Sequence, residues 1–359
     1  HRDLHYPLRR QRQMCIRDSF MAACKSEIPM EEKISLLFNE FNNGLNPGVS
    51  VAVVKSGELI YQNGFGYADL EKRVKIEPET NFRLASITKQ FTALSILILE
   101  DEGKLKLSDK LSKYFPELPD YADSISIKNI LQHTSGLLAY EDYINEEDTV
   151  QLKDDDVLEI LINQDSTYSP PGTKHRYSNS GYAILALLVE RLSGLTFPEF
   201  LYEKIFKPLK MDNTIAYVNG INTVPNRSFG YAKTDSGFVF SDQSLTSAIL
   251  GDGGIYSSTI DLLKWDKEVE SPTLIPKAKF ERSLEKGINL SGETFDYGFG
   301  WRLDPYKNYK RNYHTGSTCG FSNIYMKLPE HSLTIIVLIN IRDYDAKDYA
   351  ERIVDIVLM

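Results

Sequence analysis

Ser86 and Lys89 stand three residues apart in Phe82-Arg83-Leu84-Ala85-Ser86-Ile87-Thr88-Lys89-Gln90-Phe91, at the head of a mostly apolar segment that ends near Gly103. From Ile87 to Leu99, Ile, Leu, Ala and Phe fall on every side, which predicts a helix buried all round rather than an amphipathic one. Three residues is less than one helical turn. A hydroxyl and an amine at this spacing therefore share a face, close enough for the amine to take the hydroxyl's proton. That is the chemistry of an activated serine nucleophile. Ser-x-x-Lys is a cheap pattern, and the chain holds a second copy, Ser283 to Lys286, in a polar stretch where the lysine would simply be solvated. Lys89 differs because an unpaired ammonium is costly in an apolar helix.

Two further stretches carry parts that acyl transfer needs. Tyr177-Ser178-Asn179 ends a loop after Pro170-Pro171-Gly172 and opens a helix near Ser180. A tyrosine there feels the positive end of the helix dipole, which suits a role as acid or base, and Asn179 can donate an amide hydrogen bond to a substrate carbonyl. The triplet alone is weak, since Tyr61-Gln62-Asn63 repeats it. His314-Thr315-Gly316-Ser317 falls on a predicted strand, where Gly316 lets a substrate backbone approach and the Ser317 amide can point at an oxyanion. Leu131-Gln132-His133-Thr134-Ser135-Gly136-Leu137, in which Gly136 ends a helix, reads as structural.

The elements that must hold these residues follow from the change in hydrophobic period. Glu31 to Phe41 places Ile34, Leu36, Leu37 and Phe41 at helical spacing. Gly48 to Gly66 then alternates and turns at Ser56-Gly57, which predicts a hairpin. Helices are expected over Ser126–Gln132, with Ser126 as cap, and over Asp154–Asn163. Two more are expected over Ser180–Leu192, closed by Gly194, and Phe197–Phe206, stopped by Pro208. Strand signals return near Tyr231 and Val239 and dominate from Tyr297, in YGFGWRLD, RNYHTGS, FSNIYMKL and LTIIVLIN. A last amphipathic helix covers Asp345–Met359. This order implies one α/β domain from residues 27–80 and 290–359, a mainly helical region over 81–289, and a site at their junction.

Composition narrows the chemistry. Hydrophobic residues at 42% and charged residues at 25% are ordinary for a soluble globular protein. Residues 1–19 hold five Arg against two Asp, so the rest of the chain is more acidic than the formal net charge of −9. Such a body is a poor phosphate binder, and nucleic acid is not an expected partner. Cys15, Cys24 and Cys319 make neither a disulfide framework nor a zinc site, and no His-Glu-x-x-His cluster occurs, so no metal or other cofactor is expected. No apolar run reaches the length of a membrane span. Residues 1–26 are expected to lie outside the domain. Within them Phe20-Met21-Ala22-Ala23-Cys24-Lys25-Ser26 resembles the end of a bacterial lipoprotein signal, with Met21 at the usual leucine position. That resemblance implies a lipid on Cys24, membrane attachment and a place in the cell envelope.

Ser86-x-x-Lys89, Tyr177-x-Asn179 and His314-Thr315-Gly316, in that order on helix, loop and strand, resemble the class C β-lactamase and penicillin-binding-protein-like serine hydrolases. FRLASITKQFTALSILILEDEGKLKLSDKLSKYFPE, LQHTSGL, PGTKHRYSNSGYAILALLVE, GDGGIYSSTIDLLKW and HTGSTCGF extend the likeness over roughly residues 30–340. It implies a β-lactamase/transpeptidase-like α/β (α+β) fold, an antiparallel sheet flanked by terminal helices with a large, mainly helical insert. It also implies an acyl-enzyme mechanism. Ser86 attacks a carbonyl, Lys89 and Tyr177 shuttle protons, and the amides of Ser86 and Ser317 hold the oxyanion. Asn179, His314, Thr315 and Gly316 bind the substrate, and water releases the acyl group.

β-Lactamases of this family usually carry Lys where this chain has His314, and a histidine of ordinary pKa, about 6.5, is mostly neutral at pH 7.5. Weaker recognition of carboxylate-bearing β-lactams is the expectation, unless pH falls or a cation such as Arg302 or Lys174 substitutes. The leading reading is a hydrolase of an ester, or of a peptidoglycan-like peptide or amide with D-configured residues. A true β-lactamase and a silent envelope protein that keeps the pocket without turnover are the competing ones. Lys89→Ala is predicted to abolish acylation with the fold intact, measured as loss of covalent labelling at an unchanged far-UV spectrum; an active variant would contradict the mechanism.

Overall fold

Along β1 (Val49–Lys55), Val49, Val51 and Val53 alternate with Ser50, Ala52 and Val54, and Ser56-Gly57 turns the chain into β2 (Glu58–Phe65). Both turn residues take positive φ, 51° and 81°, the backbone whose twist a two-residue hairpin requires. Three strands from the other end of the chain, β3 (Asn312–Thr318), β4 (Phe321–Leu328) and β5 (Leu333–Ile339), complete an antiparallel sheet in the order β3-β4-β5-β1-β2. Register puts Val51 opposite Val337 and Val337 opposite Ile324, so one face is continuously apolar. That face packs on α1 (Met30–Leu36) and the C-terminal helix Ala346–Leu358 through Ile34, Phe38, Tyr349 and Ile353. The opposite face sends Ala52, Tyr325, Ile336 and Leu338 into the core of the helical region. The computed structural model describes residues 28–145 and 147–358; the segment 1–26, with Cys24 and its expected lipid, lies outside the described residues.

The apolar segment after Ser86 forms α2 (Thr88–Asp101), in which every residue from Thr88 to Leu99 is buried, as the sequence requires. Around it stand α3 (Ile127–Leu131), opened by a capping box between Ser126 and Asn129, α4 (Asp154–Ile162) and α5 (Asn179–Ser193). Gly194 ends α5 at φ 73°, and α6 (Phe197–Leu201) follows, Pro198 in its first turn. Two later helices complete the wall, α7 (Leu250–Gly253) and α8 (Thr259–Glu270). Trp265 of α8 donates its indole N–H to Gln90 at 2.9 Å and stacks with Trp301 at 6.5 Å, fixing the buried side of α2.

One expected strand is corrected. YGFGWRLD makes only isolated bridges, Tyr297 with Arg302 and Arg302 with Tyr313. Its aromatics favour a strand, but Gly300 takes φ 76° and packs where a Cβ would sit 2.5 Å from the Lys89 carbonyl oxygen. The segment is therefore a bent loop folded on the head of α2.

Asp154 opens α4, yet its buried carboxylate accepts the Leu250 and Gly251 amides at 2.8 and 3.0 Å and so caps α7. Burial outweighs those two amides and pushes its pKa up to about 8. A carboxyl raised on folding stabilises the protein while protonated, and that contribution is lost as pH rises through the folded pKa. The melting temperature is predicted to fall from pH 5 to pH 8.5, with a smaller fall in Asp154→Asn; equal slopes in the two proteins would contradict this assignment.

Candidate active site

Ser86 sits in a single 3-10 turn, Ala85–Ile87, that leads directly into α2. Ala85 before it takes φ 49°, a left-handed backbone that costs a residue with a Cβ about 1–2 kcal/mol. The surroundings hold it there. Phe82 and Arg83 pair with Ser257 and Tyr256, the Leu84 amide bonds Ile255 O at 2.8 Å, and Asn323 of β4 donates to Arg83 O at 2.8 Å. Among its buried neighbours from Asn81 to Gln90, only Ser86 is partly exposed.

Lys89 is fully buried, and its Nζ meets three acceptors: Ser86 Oγ at 3.2 Å, Asn179 Oδ1 at 2.8 Å and the Asp252 carbonyl oxygen at 2.8 Å. Among the described residues no carboxylate pairs with it; the Asp252 carboxyl instead accepts Tyr140 OH at 3.0 Å, and burial raises its pKa. The arrangement fits both protonation states of the amine. A charged amine donates three hydrogen bonds, while a neutral one donates to Asn179 and Asp252 and turns its lone pair to the Ser86 hydroxyl. A proton can therefore pass from Ser86 to Lys89 with little atomic motion.

Tyr177 immediately precedes Ser178, the N-cap of α5, whose hydroxyl accepts the Gly181 amide at 3.2 Å. The Lys89 Nζ lies 5.0 Å from the centre of the Tyr177 ring. His133, from the stretch read as structural, packs its ring 4.3 Å from that of Tyr177 and accepts the Ser178 amide. Asn179 opens α5. Its side chain accepts from Lys89 Nζ through Oδ1 at 2.8 Å and donates to Glu141 through Nδ2 at 2.6 Å.

His314 stands apart from its expected role at the substrate. Its ring is buried, Nδ1 donates to Thr315 O at 2.6 Å, and Nε2 accepts Tyr297 OH at 3.0 Å. That bonding is the neutral imidazole's, and burial, reinforced by Arg302 and Lys89, holds its pKa well below the usual value. Mild acid therefore does not make His314 the missing cation. Gly316 is where the sheet meets the nucleophile: a Cβ there would lie 1.9 Å from Leu84 O and 3.2 Å from the Ser86 nitrogen. Any side chain would push β3 off the turn that carries Ser86. Thr315 is half-buried and Ser317 exposed beside it on β3, the outer strand of the sheet, which leaves the Ser317 end of the strand open to a substrate.

Sequence reasoning missed the Asp252 carbonyl, Glu141 and Tyr297 as members of the site. Only Tyr297 had a signal, in the YGFGW run. The Arg302 guanidinium lies 5.4 Å from the centre of the Tyr177 ring and makes no ion pair among the described residues. Lys174 is exposed. The second Ser-x-x-Lys is dismissed, since the buried Ser283 hydroxyl bonds Phe280 O at 2.6 Å and Lys286 pairs with Asp296. A cavity of about 740 Å³ beside Asp154, Glu190 and Tyr217 is lined by none of Ser86, Lys89 or Tyr177.

Residues 37–358 match the family model described as Beta-lactamase. Penicillin-binding protein 4* of Bacillus subtilis (strain 168) is 32% identical over 311 residues, 81% of this chain and 67% of that protein. The chain spans about two thirds of the length of the curated relatives it matches. Among solved structures, the octameric penicillin-binding protein homologue from Pyrococcus abyssi is similar with a TM-score of 0.79 at 26% identity, over 91% of this chain and 77% of that one. The D-amino acid amidase from Ochrobactrum anthropi SV3 has the same fold, with a TM-score of 0.78 at 21% identity over 92% and 98% of the two chains. With Ser86, Lys89 and Tyr177 gathered at one point of this fold and the family model spanning the sheet and every described helix after α1, the chain belongs to the Beta-lactamase family of serine hydrolases.

Proposed function

We propose that this protein hydrolyses peptides or amides built on D-amino acids, and related esters, through an acyl-enzyme on Ser86. The observation that carries the proposal is the buried Lys89 amine, bonded to the Ser86 hydroxyl and to two carbonyl-type oxygens, with no pairing carboxylate among the described residues. Lys89 takes the Ser86 proton as Oγ attacks the substrate carbonyl. The developing oxyanion is stabilised by the amides of Ser86 and Ser317. Tyr177 passes a proton to the leaving amine or alcohol as the bond to it breaks, and a water molecule, losing its proton to the same pair of side chains, then frees the acyl group.

Arg302 refines the substrate. With His314 held neutral by burial, the guanidinium above the Tyr177 ring is the positive charge available to a carboxylate on the leaving group. This favours a peptide with a free C-terminal carboxylate over an unsubstituted ester, and it removes the electrostatic objection to β-lactams, which carry the same group. The relatedness to a penicillin-binding protein and the fold shared with a D-amino acid amidase support the D-configured class.

The test compares an N-acylated D-alanyl-D-alanine peptide, its L,L isomer and a simple p-nitrophenyl ester. Turnover of the D,D peptide is expected to exceed that of the L,L isomer. Arg302→Ala is expected to raise KM for the D,D peptide by about 10- to 100-fold, the worth of one charge-assisted hydrogen bond, and to leave the ester within about threefold. Equal losses on peptide and ester, or preference for the L,L isomer, would contradict the proposal.

A further inference from the structure

His133 is bonded to the amides on both sides of Tyr177. Its carbonyl oxygen accepts the Arg176 N–H at 2.8 Å, and its Nδ1 accepts the Ser178 N–H at 3.1 Å. The chain on each side of the tyrosine is thus tied to one residue, which lies just beyond Gln132, the C-cap of α3. An Nδ1 that accepts leaves the proton of the neutral ring on Nε2. That Nε2 is buried without a hydrogen-bond partner, and the residue takes φ 55°. A buried donor left unpaired and a left-handed backbone each cost stability. An apolar side chain would fill the space without the orphan donor but would lose the acceptor for Ser178. The ring is enclosed by Tyr177, Tyr297 and Tyr182, with centres 4.3, 4.5 and 5.1 Å away, so it also supports the face of the Tyr177 ring.

We propose that His133 is a positioning residue for Tyr177, clamping the backbone on both sides of the tyrosine so that its phenol is presented to Lys89 and the substrate. The inference rests on the acyl-transfer reading above for its kinetic consequence, but not for its geometric one. Nδ1 is the part of the clamp that a side-chain change can remove; the carbonyl bond to Arg176 stays in any variant. Asparagine, which tolerates a left-handed backbone, offers an amide oxygen as the replacement acceptor.

Three variants and two readouts test the clamp. With the p-nitrophenyl ester, His133→Ala is expected to lower kcat by about 100-fold, the usual effect of misplacing a reacting group by an ångström, with KM nearly unchanged. His133→Asn is expected to recover most of that loss. Ser126→Ala, which removes the cap of α3 and so lowers the melting temperature without touching Nδ1, is expected to keep the wild-type kcat. The second readout does not use turnover: the ¹⁹F resonance of 3-fluorotyrosine at position 177, assigned by its disappearance in Tyr177→Phe, is expected to be single in wild type and His133→Asn and broadened or split in His133→Ala. An unaltered resonance in His133→Ala overturns the clamp whether or not the enzyme turns over. So does a kcat in Ser126→Ala that falls as far as in His133→Ala, or a folded His133→Asn as impaired as the alanine variant. A wild type that never acylates but shows the expected resonances would instead overturn the acyl-transfer reading and leave the clamp supported.

Discussion

A buried amine with three oxygen acceptors and, among the described residues, no carboxylate partner is the constraint around which this protein is built. Lys89 points into a helical core where an ammonium is costly, and each acceptor comes from a different part of the chain: Ser86 from the turn before α2, Asn179 from the head of α5, Asp252 from α7. None of the three is ionised. The four-residue helix α7 presents one of them, and the buried Asp154 carboxylate caps its first two amides.

The rest of the scaffold brings the sheet to this point and keeps it there. Gly316 on β3 and Gly300 in the bent loop are both places where backbone touches backbone, against Leu84 and Lys89 in turn, and neither tolerates a Cβ. The left-handed Ala85 is held between the pairing of Phe82 and Arg83 with Tyr256 and Ser257 on one side and β3 on the other. Strain at the nucleophile is thereby balanced by packing that a more open cleft would lack. Charge is distributed with the same economy. The buried histidines His133 and His314 stay neutral inside, and Arg302, on a bridge that extends the sheet beyond β3 at Tyr313, supplies the cation at the edge.

Much of this was legible in the sequence because local pattern and tertiary role agree. The all-round apolar α2, the Ser56-Gly57 hairpin, the Ser126 cap and the Gly194 stop are each set by a few neighbouring residues, and Ser86 and Lys89 share one helical turn. What escaped was set by atoms without a sequence signature. The Asp252 acceptor is a backbone carbonyl, and the Glu141 bond to Asn179 joins residues 38 positions apart. YGFGWRLD misled because aromatic β propensity was outweighed by a glycine at positive φ pressed against α2. His314 was expected at the substrate from the family resemblance, in which a lysine usually stands at its position, but alternation along β3 turns its ring inward to Tyr297.

The central claim is that Ser86 is the nucleophile, and intact-protein mass spectrometry tests it most directly. Wild type and Ser86→Ala are incubated separately with a fluorophosphonate and with a fluorescent β-lactam. A single adduct on wild type with either reagent, and none on Ser86→Ala, is the predicted result. Labelling of Ser86→Ala to the same extent, or no labelling of wild type by either reagent, would contradict it.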